Sequence, residues 1–494
     1  MNKTREALHG VTGEKGRKDE HPPQPPQTVT WSLVLSVMAS VLRSLQIGYH
    51  TGNINAPQMV NVQEKEIWHG RFQEPMSLHA LTMLWSFTVS TLALGATVSA
   101  LTVGIVADHY GRYMHNSILT ANSLSLMAVG FMGVSKIAGS LEALIVGRFL
   151  IGLFCGLNMT LIPLYIQEIS PTRRRLLPPP TGHEIMFSGK FLSISWFQIM
   201  SLENVLGTSR WWPLMLSLSA IPAVLQYLTL PFCPESPRYF IINCHEDELA
   251  AKLQRLRGTQ DVLEEIEEMK EEAANLKGTE DVTMLRLFIV PSYKQPILIA
   301  LILNASSQLS GFNVVGDHRG TRTSRLFRSK GQSNTMNGNL HGGAGHWCIS
   351  VLPISLHLRT QGEVPWTKYF LILALFTMVA FYEIGPGPIS WYITAELFSQ
   401  SARPVAMGLT SSWNWFHKFI VAMFYQPLLH LVGPYVFLLF TGFLLVAVLY
   451  TFFRVPETRS RTFKEVAAEF RQYVVGEYHI SPTSLAWFGP ATDI

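Results

Sequence analysis

The chain has 494 residues, 48% of them hydrophobic and 15% charged, with a formal net charge of +4. About three soluble domains of ~150 residues would fit that length, but 21 of the 72 charged residues crowd into the 63 positions from Cys233 to Gln295, and windows such as Leu144 to Ile166 and Phe437 to Phe453 hold at most one charge each. Such windows match a bilayer core of about 30 Å and exclude a multi-domain soluble enzyme, while a small basic surplus without aromatic interleaving excludes a nucleic-acid surface.

Residues 1–28 form a polar, basic tail with a proline-rich end, His21 to Gln27. It shows no short apolar core with a small-residue cleavage site, so the first span is expected to do the targeting. Apolar windows of about 17 to 25 residues then predict membrane helices at Val29–Ile47, Leu78–Val106, Ser117–Val134, Leu144–Ile166 and Trp211–Phe232. A weaker window at Ile185–Leu202 carries Lys190 within snorkelling distance of the edge near Arg173, Arg174 and Arg175. Together these make a first transmembrane bundle over 29–232.

The charged stretch 233–295 reads as a helical linker. Leu249, Leu253 and Leu256 precede Gly258, and Val262, Ile266, Met269, Ala273 and Leu276 precede Gly278, all at helical spacing with acids opposite. A solvated cap without chemistry, or a regulatory or partner-binding surface, fits that pattern. A second bundle, 296–455, follows with spans at Pro296–Val315, Tyr369–Ala395, Pro404–Val432 and Pro434–Val455. Within it, residues 316–363 are rich in Gly, Ser and Arg and hold no window able to span; residues 456–494 form a tail.

Lys and Arg cluster in the tails, at Arg112 and at Arg173 to Arg175, all on one face if both termini share a side, so both termini are expected to be cytoplasmic. A parallel internal repeat supports the same parity: Tyr165-Ile166 with Glu168 recurs as Tyr392-Ile393 with Glu396, and Pro234-Glu235 recurs as Pro456-Glu457. Cys155, Cys233, Cys244 and Cys348 share no metal-like spacing and read as structural thiols. No HExxH, GxSxG or phosphate loop occurs, so neither a cofactor, a metal nor an enzyme is expected.

Several motifs then have a family. Gly48 to Pro57 (GYHTGNINAP), Gly104 to Arg112 (GIVADHYGR), Gly147 to Gly152 (GRFLIG), Pro234 to Tyr239 (PESPRY), Gln308 to Gly311 (QLSG), Glu383 to Trp391 (EIGPGPISW) and Val455 to Thr462 (VPETRSRT) resemble the signatures of the facilitative glucose transporters, class I-like, in the sugar-porter branch of the major facilitator superfamily. The resemblance covers about 28–172, 203–315 and 365–470. It implies an all-α membrane protein of two pseudo-symmetric bundles at the plasma membrane; with 316–363 unable to span, the second bundle is expected to lack two helices. It also implies facilitated uniport of a hexose, D-glucose first, by alternating access, with the bilayer and the sugar as partners. Oligomeric state is not legible.

By the same resemblance Gln308, Asn313, Glu383, Trp391, Asn414 and Trp415 would bind the sugar, whose hydroxyls both donate and accept hydrogen bonds; core packing is the bland reading of both tryptophans. A cytoplasmic network of Arg112, Glu168, Arg173, Glu235, Arg238, Glu396, Arg403, Glu457 and Arg459 would bias which state is populated. Gly385 to Pro388 (GPGP) would break a helix and permit a gating bend. Proton-driven relatives place an aspartate where this chain has His50, near an arginine matched by Arg148, which favours uniport over proton symport.

The chain departs from its family at Leu176 to Gly182, at Ser307 (a family glutamine), at Lys418 (a family asparagine), at Arg43 (a family glycine) and through 316–363. Those departures leave a transport-defective sugar sensor or scaffold as a rival reading, and a proton-coupled sugar symporter is a second, since His50 could itself titrate.

Overall fold

A computed structural model gives the architecture. It describes residues 30–52, 77–109, 114–169, 212–233, 246–259, 262–277, 282–309, 390–391, 393–394, 397–398 and 402–454. In chain order the helices are α1 (Trp31–Gly52), α2 (Leu78–His109), α3 (Met114–Val134), α4 (Leu141–Ile169), α5 (Trp212–Ser217), α6 (Ala220–Thr229), α7 (Glu246–Arg257), α8 (Leu263–Lys277), α9 (Met284–Ile289), α10 (Pro291–Leu309), α11 (Arg403–Val432) and α12 (Val436–Arg454). The described residues contain no strand.

The seven long helices run from 19 to 32 residues. At 1.5 Å per residue that is about 28 to 48 Å, enough to cross a hydrocarbon core. By length and composition α1, α2 and α4 each hold a stretch able to cross a membrane. Serine and threonine open them: the Ser77 hydroxyl accepts from the Ala80 amide, Ser140 from Ala143 and Thr30 from Leu33. Glycine closes two helices in the left-handed region: Gly258 (φ 69°) bonds back to Gln254, and Gly433 (φ 62°) to Leu429.

The sixth predicted span needs correction. Instead of one helix over Trp211–Phe232, the chain forms α5, a turn, α6 and a 3₁₀ turn at Leu230–Phe232. Pro222 has no amide to give the Leu218 carbonyl four residues back, and that carbonyl instead takes the Ile221 amide at 3.1 Å. The other ends that move by five residues are those of α1, which continues past Ile47 to Gly52, and α10, which begins at Pro291, directly after α9. The predicted span Ile185–Leu202, nearly all of Tyr369–Ala395 and the segment 316–363 lie outside the described residues.

In the first half α2 and α4 touch backbone to backbone. A Cβ at Gly152 would run into the Leu92 carbonyl, and one at Gly95 into the Phe149 carbonyl. Polar side chains tie the rest: Asn122 donates to the Ala223 carbonyl at 2.8 Å, Gln46 to Gln226 at 3.2 Å, and Tyr49 to the Met215 carbonyl. Each satisfies a group that would otherwise be buried unpaired in an apolar medium.

The linker is no detached cap. Leu249, Leu253, Leu256, Val262, Ile266 and Met269 are buried in the same core cluster as α1 to α5, where the helical spacing placed an apolar face. The Thr30 hydroxyl donates to the Leu256 carbonyl at 2.7 Å, tying the start of α1 to the end of α7. Arg257 donates to the Ile169 carbonyl at 2.6 Å, at the last turn of α4, and pairs through Nε and Nη2 with Glu265. A cation there also complements the negative end of α4. Arg257→Ala is expected to destabilise the protein by about 1 to 3 kcal/mol, because the Ile169 carbonyl loses its donor and Glu265 its counter-ion. A thermal-unfolding midpoint in detergent checks this, and an unchanged midpoint would contradict it.

Candidate functional site

The second half packs α10 on α11, and α11 packs along α2 of the first half. Ser412 donates to the Thr97 carbonyl at 3.0 Å, a Cβ at Gly408 would lie 3.2 Å from the Ala100 carbonyl, and Ser90 meets the Met423 sulfur at 3.7 Å. Small residues thus let the two halves close on each other along about 15 Å of helix. Trp391 and Trp415 belong to the buried cluster that also holds Leu92, Ala96 and Ala100 of α2, which places them at the seam between the halves.

Behind that seam lies a chain of amides. Gln308 on α10 donates from Nε2 to Asn414 Oδ1 on α11 at 3.0 Å. Asn414 returns its Nδ2 to Asn304, Oδ1 at 3.2 Å and the backbone carbonyl at 3.3 Å, and reaches Ser307 Oγ at 3.5 Å. Asn304 donates in turn to the Ala300 carbonyl and to the Ser390 carbonyl, both at 2.9 Å, fixing the segment that carries Trp391. In a low dielectric such a chain holds each amide in one orientation. Trp415, 2% exposed, has no partner for its indole N–H. An unpaired buried donor costs about 1 to 3 kcal/mol, a cost that a ligand hydroxyl or carboxylate would remove. Lys418, one turn further along α11, lies with Nζ 4.9 Å from the Trp415 ring centroid.

Four of the six predicted sugar-binding residues are therefore placed. Gln308 and Asn414 are joined by a hydrogen bond, and Trp415 and Trp391 are buried in one core cluster, while Asn313 and Glu383 lie outside the described residues. Asn304 and Ser307 complete the network and were not among the predicted site residues. Their signal was present: with Gln308 they stand at i, i+3 and i+4, a polar stripe on an otherwise apolar helix.

On the opposite half Arg148 donates to the His50 backbone carbonyl at 3.0 Å, and the His50 ring sits edge-on to Tyr49 and Phe154. His50 is fully buried, and neither of its ring nitrogens has a hydrogen-bond partner. Deeper in α1, Arg43 is also fully buried. None of its three nitrogens finds a hydrogen-bond acceptor, and its guanidinium lies 5.6 Å from the Tyr165 ring centroid. A cation–π contact offsets little of the cost of an arginine at that depth, about 2.5 to 3.5 kcal/mol on insertion scales. Arg43→Leu is expected to raise the unfolding midpoint in detergent or nanodiscs, since the leucine retains bulk and drops the charge. A lowered midpoint would contradict this.

Of the predicted cytoplasmic network, Arg403 alone has a described side chain; it donates to the Phe398 carbonyl at 3.3 Å. Glu168 sits in the last turn of α4, while Arg112, Arg173, Glu235, Arg238, Glu396, Glu457 and Arg459 lie outside the described residues.

Comparison with known proteins gives a consistent assignment. The family model described as "Sugar (and other) transporter" matches residues 35–316 and 337–470, pausing inside the stretch 316–363. Facilitated glucose transporter member 1 of solute carrier family 2 from Gallus gallus is 40% identical over 473 residues, 90% of this chain and 94% of that protein. Member 3 from Homo sapiens is 38% identical over 473 residues, 90% of this chain and 93% of that protein. Among solved structures, the inward-open xylose transporter XylE from E. coli superposes with a TM-score of 0.71 at 18% identity, covering 88% of this chain and 99% of that one. Structural likeness at that identity establishes the fold, which this chain shares with that transporter.

Proposed function

The chain belongs to the sugar transporter family, and from that membership we propose that it carries a hexose, D-glucose first, down its concentration gradient by alternating access. The observation that supports this most is the oriented amide chain Gln308–Asn414–Asn304 beside an unpaired buried Trp415 N–H at the seam of the two halves. Each amide oxygen of the chain has a second lone pair with which to accept from a sugar hydroxyl, and the indole offers a face and a donor. Placement at a seam is what alternating access requires, because rocking one half against the other moves the opening while the site stays in place.

The residue beside Arg148 supports the uniport reading. A carboxylate that gains and loses a proton against that arginine would couple transport to protons, and this chain puts His50 there. Family membership makes the chain an integral membrane protein; both termini on the cytoplasmic side and residence in the plasma membrane complete the proposal.

The test is uptake of labelled D-glucose and L-glucose by purified protein in sealed liposomes at several imposed proton gradients. Stereoselective uptake that levels off at equal concentrations, with the same final level at every gradient, is expected. Accumulation that follows the proton gradient would replace uniport by symport, and a lack of selective flux from folded, inserted protein would support the sensor or scaffold reading.

A further inference from the structure

We propose that α9 anchors the carrier to the surface of its own bilayer, with its Leu285, Phe288 and Ile289 face sunk into the headgroup and upper acyl layer where α10 enters the membrane. The inference is independent of which sugar is carried and of what drives its transport.

Two faces of one short helix carry it. Leu285, Phe288 and Ile289, at i, i+3 and i+4, share a side of α9, and Leu287 stands opposite. Leu287 is fully buried in the cluster of the second half, with Ile297 of α10, Phe398, and Ala406 of α11. The other side is open: Leu285 is 73% exposed, Phe288 48% and Ile289 72%. The helices before it behave otherwise. α7 turns Lys252 and Arg255 outward and α8 turns Glu267 and Glu271, as helices bathed in water do. Three large apolar side chains on one face of a six-residue helix mark a contact with something apolar.

The position of α9 in the chain identifies that contact as lipid. Val290 alone joins α9 to the membrane helix α10, and the joint is hydrogen-bonded: the Val290 amide donates to the Arg286 carbonyl at 2.9 Å, and the Tyr293 and Lys294 amides donate to the Val290 carbonyl at 3.0 and 3.2 Å. The Tyr293 ring also lies 6.1 Å from that of Phe398. These ties, with Leu287, fix α9 at the mouth of α10. Lys294, exposed in the first turn of α10, sets the headgroup level, because an ammonium stays hydrated there. Ile289 precedes Lys294 by five residues, about 8 Å at helical rise. Interfacial helices bury an apolar face to a depth of about 5 to 10 Å, the same scale. Since Leu287 fastens the same helix to α10 and α11, the anchor holds the second half at a set depth while the first half rocks against it.

The test is electron paramagnetic resonance of single spin labels on the full chain in liposomes. Labels enter through Leu285→Cys, Phe288→Cys and Ile289→Cys, with Cys244 and Cys348 changed to serine; Cys155 and Cys233 are buried. Lys252→Cys is the aqueous reference, and Leu298→Cys, exposed on α10, the lipid reference. Oxygen concentrates in lipid and a nickel chelate stays in water, so the ratio of their collision rates reads what surrounds the label. At all three α9 positions that ratio is expected to exceed the aqueous reference severalfold, with oxygen collisions close to those of the lipid reference. A ratio no higher than the aqueous reference at any of the three would mean that the face meets water. Few collisions with either probe would mean that another segment or a second copy covers it; either result overturns the inference. If a labelled variant does not fold, the unaltered chain is photolabelled from a lipid carrying a diazirine near its headgroup. Adducts on residues 285–289 are expected, and their absence while Leu298 is labelled would overturn the inference equally.

Discussion

Asn414→Ala is expected to reduce hexose flux by about one to two orders of magnitude while leaving the protein folded. Asn414 is the centre of the network: its Oδ1 takes the Gln308 amide and its Nδ2 serves Asn304 and Ser307. Alanine removes both, leaving Gln308 without its fixed orientation and Asn304 Oδ1 without a donor. A buried polar group deprived of its partner costs about 1 to 3 kcal/mol, and each 1.4 kcal/mol is tenfold in an equilibrium or a rate. Part of the loss falls on binding and part on the barrier to rocking, so initial rates over a range of sugar concentrations should show both a raised half-saturation and a lowered maximum. Asn414→Asp separates the two functions of the side chain, because it keeps the acceptor for Gln308 and loses the donor to Asn304. It should lie between the wild type and the alanine variant. Flux from Asn414→Ala equal to that of the wild type at matched protein levels would remove Asn414 from the site.

The largest structural effect is expected from Gly152→Val. Position 152 of α4 faces α2 so closely that even a Cβ would meet the Leu92 carbonyl, with the Gly95 Cα at 2.9 Å and the Ala96 nitrogen at 3.0 Å. All three are backbone atoms, so no side chain can swing aside and the helices themselves must part. Overpacking a well-filled core typically costs about 1 to 3 kcal/mol even where side chains can adjust. A valine here should cost more, and the monodisperse fraction after detergent extraction should fall severalfold. Gly130→Ala and Gly442→Ala are the controls, since a Cβ at either meets nothing within 4 Å. Wild-type yield from Gly152→Val would mean that α2 and α4 do not pack as described.

Much of the architecture was legible in the sequence because it follows from local rules. Apolar stretches of bilayer length gave the long helices, and the i, i+4, i+7 spacing of Leu249, Leu253 and Leu256 fixed which face of α7 is buried. Spacing did not say what that face would be buried against. The cap was expected to be solvated, and Arg257 binding the end of α4 could not be read from two helices far apart in sequence. The broken sixth span was less hidden: Pro222 marks the place, but hydropathy alone runs straight through it.

The site was legible in the same uneven way. Gln308 comes from a motif and Asn414 from the family resemblance, and their hydrogen bond connects residues 106 positions apart. Asn304 was not among the predicted site residues, although a buried asparagine four residues before Gln308 on one helix face asks for a partner on a neighbouring helix. Its partners, Asn414 and the Ser390 carbonyl, are set by how α10, α11 and the segment at 390 pack together, which no local pattern encodes.

The central claim is that one hexose site is exposed to the two sides of the membrane in turn, and counterflow tests it most directly. Liposomes containing the purified chain are loaded with unlabelled D-glucose and diluted into a trace of labelled D-glucose. A carrier whose single site alternates should draw the label inward above its external concentration before it decays back, and preloading with L-glucose should abolish that overshoot. Label that rises to equilibrium without overshoot, or overshoots equally after L-glucose, would contradict a stereoselective alternating site.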